Sequence, residues 1–251
     1  MRKVLEYTFS IVVYIMFLFT FLYAVGFIGG FVVSKTIDSG AQQGGAVALF
    51  VDSLLLGLFA IQHSVMARPA FKNFWTTIIP KTVERSIYVL AANICLILLY
   101  IFWIPLKAVV WDFTGTFLEA VLWALFALGW LIVLLSTFLI NHFELFGLRQ
   151  TFYPLINKEA PPLGFCKKGL YNYCRHPIMF GFIIAFFMTP KMTVGHLFFA
   201  AMATGYIFIA LIFEERDLVK FIGDEYKQYQ KDVPKVCPFS FGKKRIASKN
   251  T

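Results

Sequence analysis

Leu170-Tyr171-Asn172-Tyr173-Cys174-Arg175-His176-Pro177 and Glu214-Glu215-Arg216-Asp217 are the two ends of the stretch that decides the fold. Between them run two apolar arms, Ile178 to Met188 and Gly195 to Phe213, which turn around once at Thr189-Pro190-Lys191-Met192-Thr193. A polar entry and a polar exit joined by an apolar hairpin must emerge on one membrane face. Arg175 and His176 are therefore expected beside Glu214 and Glu215, so that a cation, an imidazole and two carboxylates surround one membrane-edge cavity. The first arm has eleven residues, against the roughly 20 needed to cross a bilayer alone. Either it borrows length from residues before Pro177 or the hairpin crosses only in part.

Working outward, the composition fixes the class. The chain has 251 residues, 59% of them hydrophobic and 15% charged, with 30 Phe and a mean hydropathy of +0.72. That is an integral membrane protein. The net charge of +9 would suggest nucleic acid in a soluble chain, but here Lys and Arg gather in alternate loops, and nucleic acid is excluded as a partner. The four cysteines, 95, 166, 174 and 237, form no CxxC pair, so neither a disulfide framework nor a zinc site is indicated.

Four spans precede the hairpin: Tyr7 to Val33, Ala46 to Met66, Ile87 to Leu106 and Phe117 to Ile140. The first follows Arg2 and Lys3 and is too long for a signal-peptide core. Gly26 and Gly30 near its end form a GxxxG pair suited to a close helix contact. In the second span, Asp52 and His63 share a helix face but lie three turns apart; Asp52 is read as hydrogen-bonding to a neighbouring helix, while for His63, near the basic loop, that reading and a functional one both stay open. The loop carrying Arg68, Lys72, Lys81 and Arg85 and the longer one carrying Arg149, Lys158, Lys167, Lys168 and Arg175 are basic, which places both inside together with the two termini. After Phe213 an amphipathic pattern (Leu218, Phe221, Ile222, Tyr226, Tyr229) predicts a helix lying along the membrane surface, ended by Val233-Pro234 and Pro238. The basic tail Lys243-Lys244-Arg245 suits anionic lipid headgroups. The fold class is thus an all-α polytopic membrane helix bundle of four spans plus a C-terminal helical hairpin. It reads as one domain, residues 1–140 forming the spans and 141–251 the loop, hairpin and amphipathic region.

Familiar sites are absent as sequence signals. There is no GxxxxGK[ST] loop, HExxH helix or GxSxG elbow, and the four His are too scattered to ligate a metal. What remains is the Arg175-His176-Pro177 entry with Glu214-Glu215. Pro177 suits a first helical position, and two adjacent carboxylates at a membrane exit are costly unless cations or a ligand meet them.

Arg-His-Pro-x-x-x-Gly at 175–181, followed by Glu214-Glu215, Leu218, Phe221-x-Gly223, Tyr226, Tyr229 and Val233-Pro234, resembles the C-terminal region of the isoprenylcysteine carboxyl methyltransferase superfamily of membrane methyltransferases. One departure is Met179, where members of that superfamily often carry Tyr. Gln62-His63-Ser64-Val65-Met66-Ala67-Arg68-Pro69, Glu84-Arg85-Ser86, and Ser136-Thr137-Phe138 through Asn141-His142-Phe143-Glu144-Leu145-Phe146-Gly147-Leu148-Arg149-Gln150 are similar to bacterial methanethiol S-methyltransferases, in an NnrU-like branch. The resemblance implies S-adenosylmethionine as methyl donor on the cytoplasmic side, a small apolar thiol as substrate, dimethyl sulfide as product, and a bacterial inner membrane.

Methyl transfer from a sulfonium needs alignment and a thiolate nucleophile. His142, Glu214 or Glu215 is the candidate proton acceptor. Arg175 is expected to orient the donor carboxylate, His176 and Pro177 to help hold the donor's amino-acid or ribose portion, and Tyr171, Tyr226 and Tyr229 to pack on it. Two other readings stay open: methylation of another thiol, an isoprenylcysteine or a lipid amine, and a non-catalytic NnrU-like membrane protein or transporter. Oligomeric state is not legible.

Overall fold

The computed structural model describes residues 1–237; Pro238 and the basic tail at 243–245 lie outside the described residues. Among those residues, five helices are long and apolar enough to cross a membrane: α1 (Arg2–Gly29), α2 (Gly45–Ala67), α4 (Glu84–Phe102), α5 (Phe117–Ile140) and α9 (Val194–Ile222). Shorter helices are α3 (Pro69–Trp75), α6 (His142–Leu145), α7 (Leu148–Leu155), α8 (Pro177–Phe187) and α10 (Asp224–Asp232), with a 3-10 turn at Gly169–Asn172. The protein is a polytopic helical bundle, as the apolar runs require: in lipid each backbone N–H and C=O must be satisfied within its own segment.

The chain divides into two compact units. The first holds Met1–Asp112, His142–Pro162 and Lys191–Met202; the second holds Phe113–Asn141, Leu163–Pro190 and, of the described residues, 203–237. In the first unit α4 packs on both α1 and α2, and α1 also packs on α7. Its core includes Val13, Tyr88 and Val89, and Ser10 of α1 bonds Ser86 of α4 at 2.7 Å. Gly30 takes a left-handed conformation (φ 76°) and donates its N–H to Gly26 O. The Gly26/Gly30 pair is therefore the stop of α1, where a residue without Cβ is needed.

In the second unit α5 and α8 make the closest helix pairing. A Cβ built on Gly181 would stand 2.6 Å from Gly129 O, and one on Gly129 would stand 2.7 Å from Gly181 O. Glycine at both positions is what lets these backbones approach. The N-terminus of α5 is fixed by Glu119, whose carboxylate accepts the Gly115 N–H at 2.6 Å, placing an acidic group where the helix dipole favours it.

Three expectations change. The first arm of the hairpin borrows nothing: α8 begins at Pro177, because the residue before a proline is driven out of the helical region, and His176 has φ −127° and ψ 64°. The second arm does not end at Phe213. α9 continues to Ile222, and the break falls at Gly223 (φ 75°), which leads into α10; the apolar arm and the first part of the amphipathic stretch are one 29-residue helix, and Tyr226 and Tyr229 lie on α10. Finally, the turn at 189–193 is partly a strand. Lys191–Thr193 (β2) pairs antiparallel with Val109–Asp112 (β1), placing Asp112 opposite Lys191.

Candidate functional site

The site is built from three pieces of the second unit: the segment before α8, the last turns of α9, and the chain after α10. Pro177 at the first helical position leaves the N–H groups of Arg175 and His176 outside the helix. They donate instead to Pro234 O (2.9 Å) and Lys235 O (3.0 Å). Residues 233–237 thus lie as a strap along residues 174–176. The Cys174 thiol donates to Val236 O at 2.7 Å, and burial pushes its pKa up to about 12, so it stays protonated as that bond requires.

Glu215 is the hub. Its Oε1 accepts from Arg175 Nε (2.7 Å), pairs with Arg175 Nη2 (2.7 Å), and lies 3.2 Å from His176 Nε2 and 3.4 Å from the Tyr226 hydroxyl. Its Oε2 faces Lys235 Nζ at 3.2 Å. Glu215 is 7% exposed, and a carboxylate that deep is tolerated because several donors replace its lost water. Glu214, one position earlier, is rotated by about 100° on the helix. Its side chain is 45% exposed, with Oε2 3.9 Å from His176 Nδ1. The two carboxylates expected to act together therefore have different surroundings, and His176 stands between them.

Arg175 is committed inward. Besides its two contacts with Glu215, Nη1 donates to Gln230 O (3.0 Å) and Val233 O (2.5 Å), and its side chain is 6% exposed. It ties the carboxylate to the strap. The tyrosines serve the same framework. The Tyr229 hydroxyl donates to Tyr171 O at 2.5 Å, the Tyr171 hydroxyl donates to Ser136 O at 3.4 Å, and Tyr226, Tyr229 and Val233 form a buried cluster with Phe165 and Leu218. Burial raises the pKa of all three hydroxyls, which keeps them neutral donors.

An open groove of about 420 Å³, lined by Glu215, Arg216, Val219, Lys220, Gln230 and Lys235, begins at the hub. That volume falls in the lower part of the ~300–1,000 Å³ range of small-molecule sites. Its donor set fits a ligand with an α-amino-acid end and a ribose: Lys235, Arg216 and Lys220 are cations for a carboxylate, and Glu215 is an acceptor for an ammonium or hydroxyls. Among the described residues, no three His, Cys, Asp or Glu are grouped to hold a metal ion.

His142 belongs to the first unit. It is 4% exposed, its Nε2 lies 2.8 Å from the Tyr14 hydroxyl, and Tyr14, Phe143 and Phe146 pack around its ring. Burial lowers its pKa, so the imidazole is neutral at neutral pH. His63 meets Tyr88 at 2.8 Å, and Asp52 accepts the Ile104 N–H at 3.0 Å. Asp52 makes the contact to a neighbouring segment expected of it, and His63 is held by a neighbouring helix as well.

Over 239 residues, spanning 95% of this chain and 98% of that protein, the sequence is 48% identical to the methanethiol S-methyltransferase of Mycobacterium tuberculosis. It is 49% identical over 231 residues, 92% of this chain and 90% of that protein, to the methanethiol S-methyltransferase of Crocosphaera subtropica. The chain belongs to the methanethiol S-methyltransferase family. A more distant likeness, 29% over 174 residues (66% of this chain and 68% of that protein), is to the Nurim homolog of Drosophila pseudoobscura pseudoobscura. No protein-family model matches the chain, and no solved structure does.

As a member of that family the protein is a membrane methyltransferase, and two residues of its groove, Gln230 and Lys235, escaped the sequence reading. Lys235 directly follows Val233-Pro234, which the sequence offers only as a helix stop. The pairing of that segment with residues 175–176 is a backbone event with no side-chain pattern to announce it.

Proposed function

We propose that this protein transfers a methyl group from S-adenosylmethionine to methanethiol, giving dimethyl sulfide, S-adenosylhomocysteine and a proton, with the donor held at the Glu215 hub. Family membership supports the reaction. The observation that carries the placement is a buried carboxylate, met by Arg175, His176 and Lys235, opening onto a groove with further cations. The donor supplies an electrophilic methyl group on a sulfonium sulfur.

The residues supply position and a proton acceptor. Fixing two reactants in line contributes up to roughly 7–11 kcal/mol, and no covalent enzyme intermediate is needed. Glu215 and His176 hold the amino-acid and ribose portion. Arg175 holds Glu215 and the strap in register, and Pro177 fixes where that segment turns into α8. Tyr171, Tyr226 and Tyr229 form the wall behind them. A thiol is mostly protonated at neutral pH, with a free pKa of about 8.5 for a cysteine-like group, so a base raises the thiolate fraction. Glu214, the half-exposed carboxylate beside His176, takes this proton.

In this reading the chain is one functional domain in a bacterial inner membrane. The basic character of residues 68–85 and 149–175 supports a cytoplasmic side for the site and both termini, with the polar donor entering from water and the apolar thiol from the bilayer. Membranes containing the protein, given methyl-labelled S-adenosylmethionine and methanethiol, are expected to release labelled dimethyl sulfide. A Glu214→Gln variant is expected to lose turnover while still binding donor. Label appearing in lipid or protein without any volatile product would overturn the acceptor, and no transfer to any acceptor by folded protein would overturn the reaction.

A further inference from the structure

We propose that Lys235 and Glu215 form an exchangeable ion pair that opens to receive an α-amino-acid zwitterion, Lys235 passing to the ligand's carboxylate and Glu215 Oε2 to its ammonium. This assigns a binding residue within the site proposed above and rests on that reading.

Four observations lead to it. First, the cation expected to meet the carboxylate is already spent. Arg175 Nε and Nη2 both go to Glu215 and Nη1 goes to the carbonyls of Gln230 in α10 and Val233 of the strap. Second, Lys235 has donors to spare. An ammonium offers three N–H donors, the contact made by Lys235 Nζ is the one to Glu215 Oε2, and its side chain is 36% exposed at the groove.

Third, the two oxygens of Glu215 are unequal. Oε1 gathers Arg175, His176 and Tyr226, whereas Oε2 meets Lys235. Moving Lys235 away frees one oxygen for an incoming cation and leaves the hub intact. Fourth, the Lys235 backbone is held apart from its side chain, since its carbonyl accepts the His176 N–H at 3.0 Å. The ammonium can swing on a four-carbon stem from a fixed point.

The charges also balance. Arg175 and Lys235 give two permanent cations around one buried carboxylate, so a ligand that brings one negative and one positive charge replaces one ion pair by two. A ligand with the ammonium alone would have to displace Lys235 without giving it a partner, and is bound less well.

The test uses the full-length protein in lipid nanodiscs and measures equilibrium binding of S-adenosylhomocysteine and of its decarboxylated counterpart, which keeps the amine and lacks the carboxylate. Lys235→Gln is expected to weaken S-adenosylhomocysteine about 10- to 100-fold, the loss of one charge-assisted hydrogen bond. The decarboxylated ligand, which serves as the folding control, should bind the variant as well as or better than the native chain. Lys235→Arg is expected to restore most of the affinity for S-adenosylhomocysteine. Equal weakening of both ligands, or no effect on either, overturns the exchange and leaves the methyltransferase reading standing. Failure of the native protein to bind S-adenosylhomocysteine at all overturns both.

Discussion

Glu215 of the second unit and Asp52 of the first are both buried carboxylates, 7% and 0% exposed, yet their surroundings are opposite in kind. Glu215 meets a guanidinium, an imidazole, an ammonium and a phenol and opens onto a groove. Asp52 takes one backbone N–H, from Ile104, and its Oδ2 has no hydrogen-bond partner. The difference teaches how to sort buried charge. A carboxylate given more cations than it needs, beside open space, is arranged to share them with something that arrives. One sealed with a single donor pins a chain segment, here the residues that follow α4.

The largest effect is expected at the hub. Glu215→Gln leaves Arg175 buried against a neutral amide, and breaking a buried pair costs about 3–5 kcal/mol. Unfolding in detergent should report that loss, and dimethyl sulfide production should fall by more than about 100-fold, since both donor binding and the strap depend on the carboxylate. A stable and active Glu215→Gln protein would end the distinction drawn here.

Arg175→Lys comes next. The charge survives but the fork does not, so one side chain can no longer serve Glu215, Gln230 O and Val233 O together. A loss of about 2–3 kcal/mol in stability, with a raised KM for the donor, is expected. An unchanged KM would mean that the strap does not shape the groove.

Asp52→Asn sharpens the other side. An amide keeps the oxygen that accepts the Ile104 N–H and removes a buried charge. Stability should change by less than about 1 kcal/mol, and the donor KM should not move. A large donor-specific defect would make Asp52 functional.

The smallest effect concerns pH. Burial holds the His142 pKa below its ordinary value of 6.5, so the native state stays neutral where the unfolded chain takes up a proton. Its contribution to stability is complete above that value and is lost as pH falls below it, because the unfolded state then binds more protons. Chemical denaturation of the native chain and of His142→Phe between pH 5 and 7 should show the native chain losing more stability toward acid. Parallel curves would remove the neutral-imidazole assignment.

Much of the fold was legible because apolar length is a strong signal in a membrane chain. Phe117 to Ile140 was bounded at both ends by its neighbours, and the helix has those limits. Where the signal is one of charge the limits blur. α1 takes in Arg2 and Lys3, and α9 takes in Glu214 and Glu215, because an α-helix does not end where its side chains become polar.

The meeting of Arg175, His176 and Glu215 was also legible, since an apolar hairpin leaves its polar ends on one face. Their division of labour was not. Adjacent positions such as Glu214 and Glu215 look equivalent in a sequence, and only the helical rotation between them sends one inward. The roles of Gln230 and Lys235 depend on residues 233–237 pairing by backbone with 174–176, which leaves no periodicity to read. The β1–β2 ladder was hidden similarly, in two strands of four and three residues.

The most direct test of the central claim is equilibrium binding of S-adenosylhomocysteine to nanodisc-held native, Glu215→Gln and Asp52→Asn proteins, each checked for folding by thermal unfolding. Native-like affinity in Asp52→Asn with binding lost in a folded Glu215→Gln protein is the result predicted. Undiminished binding by Glu215→Gln would contradict the placement of the site.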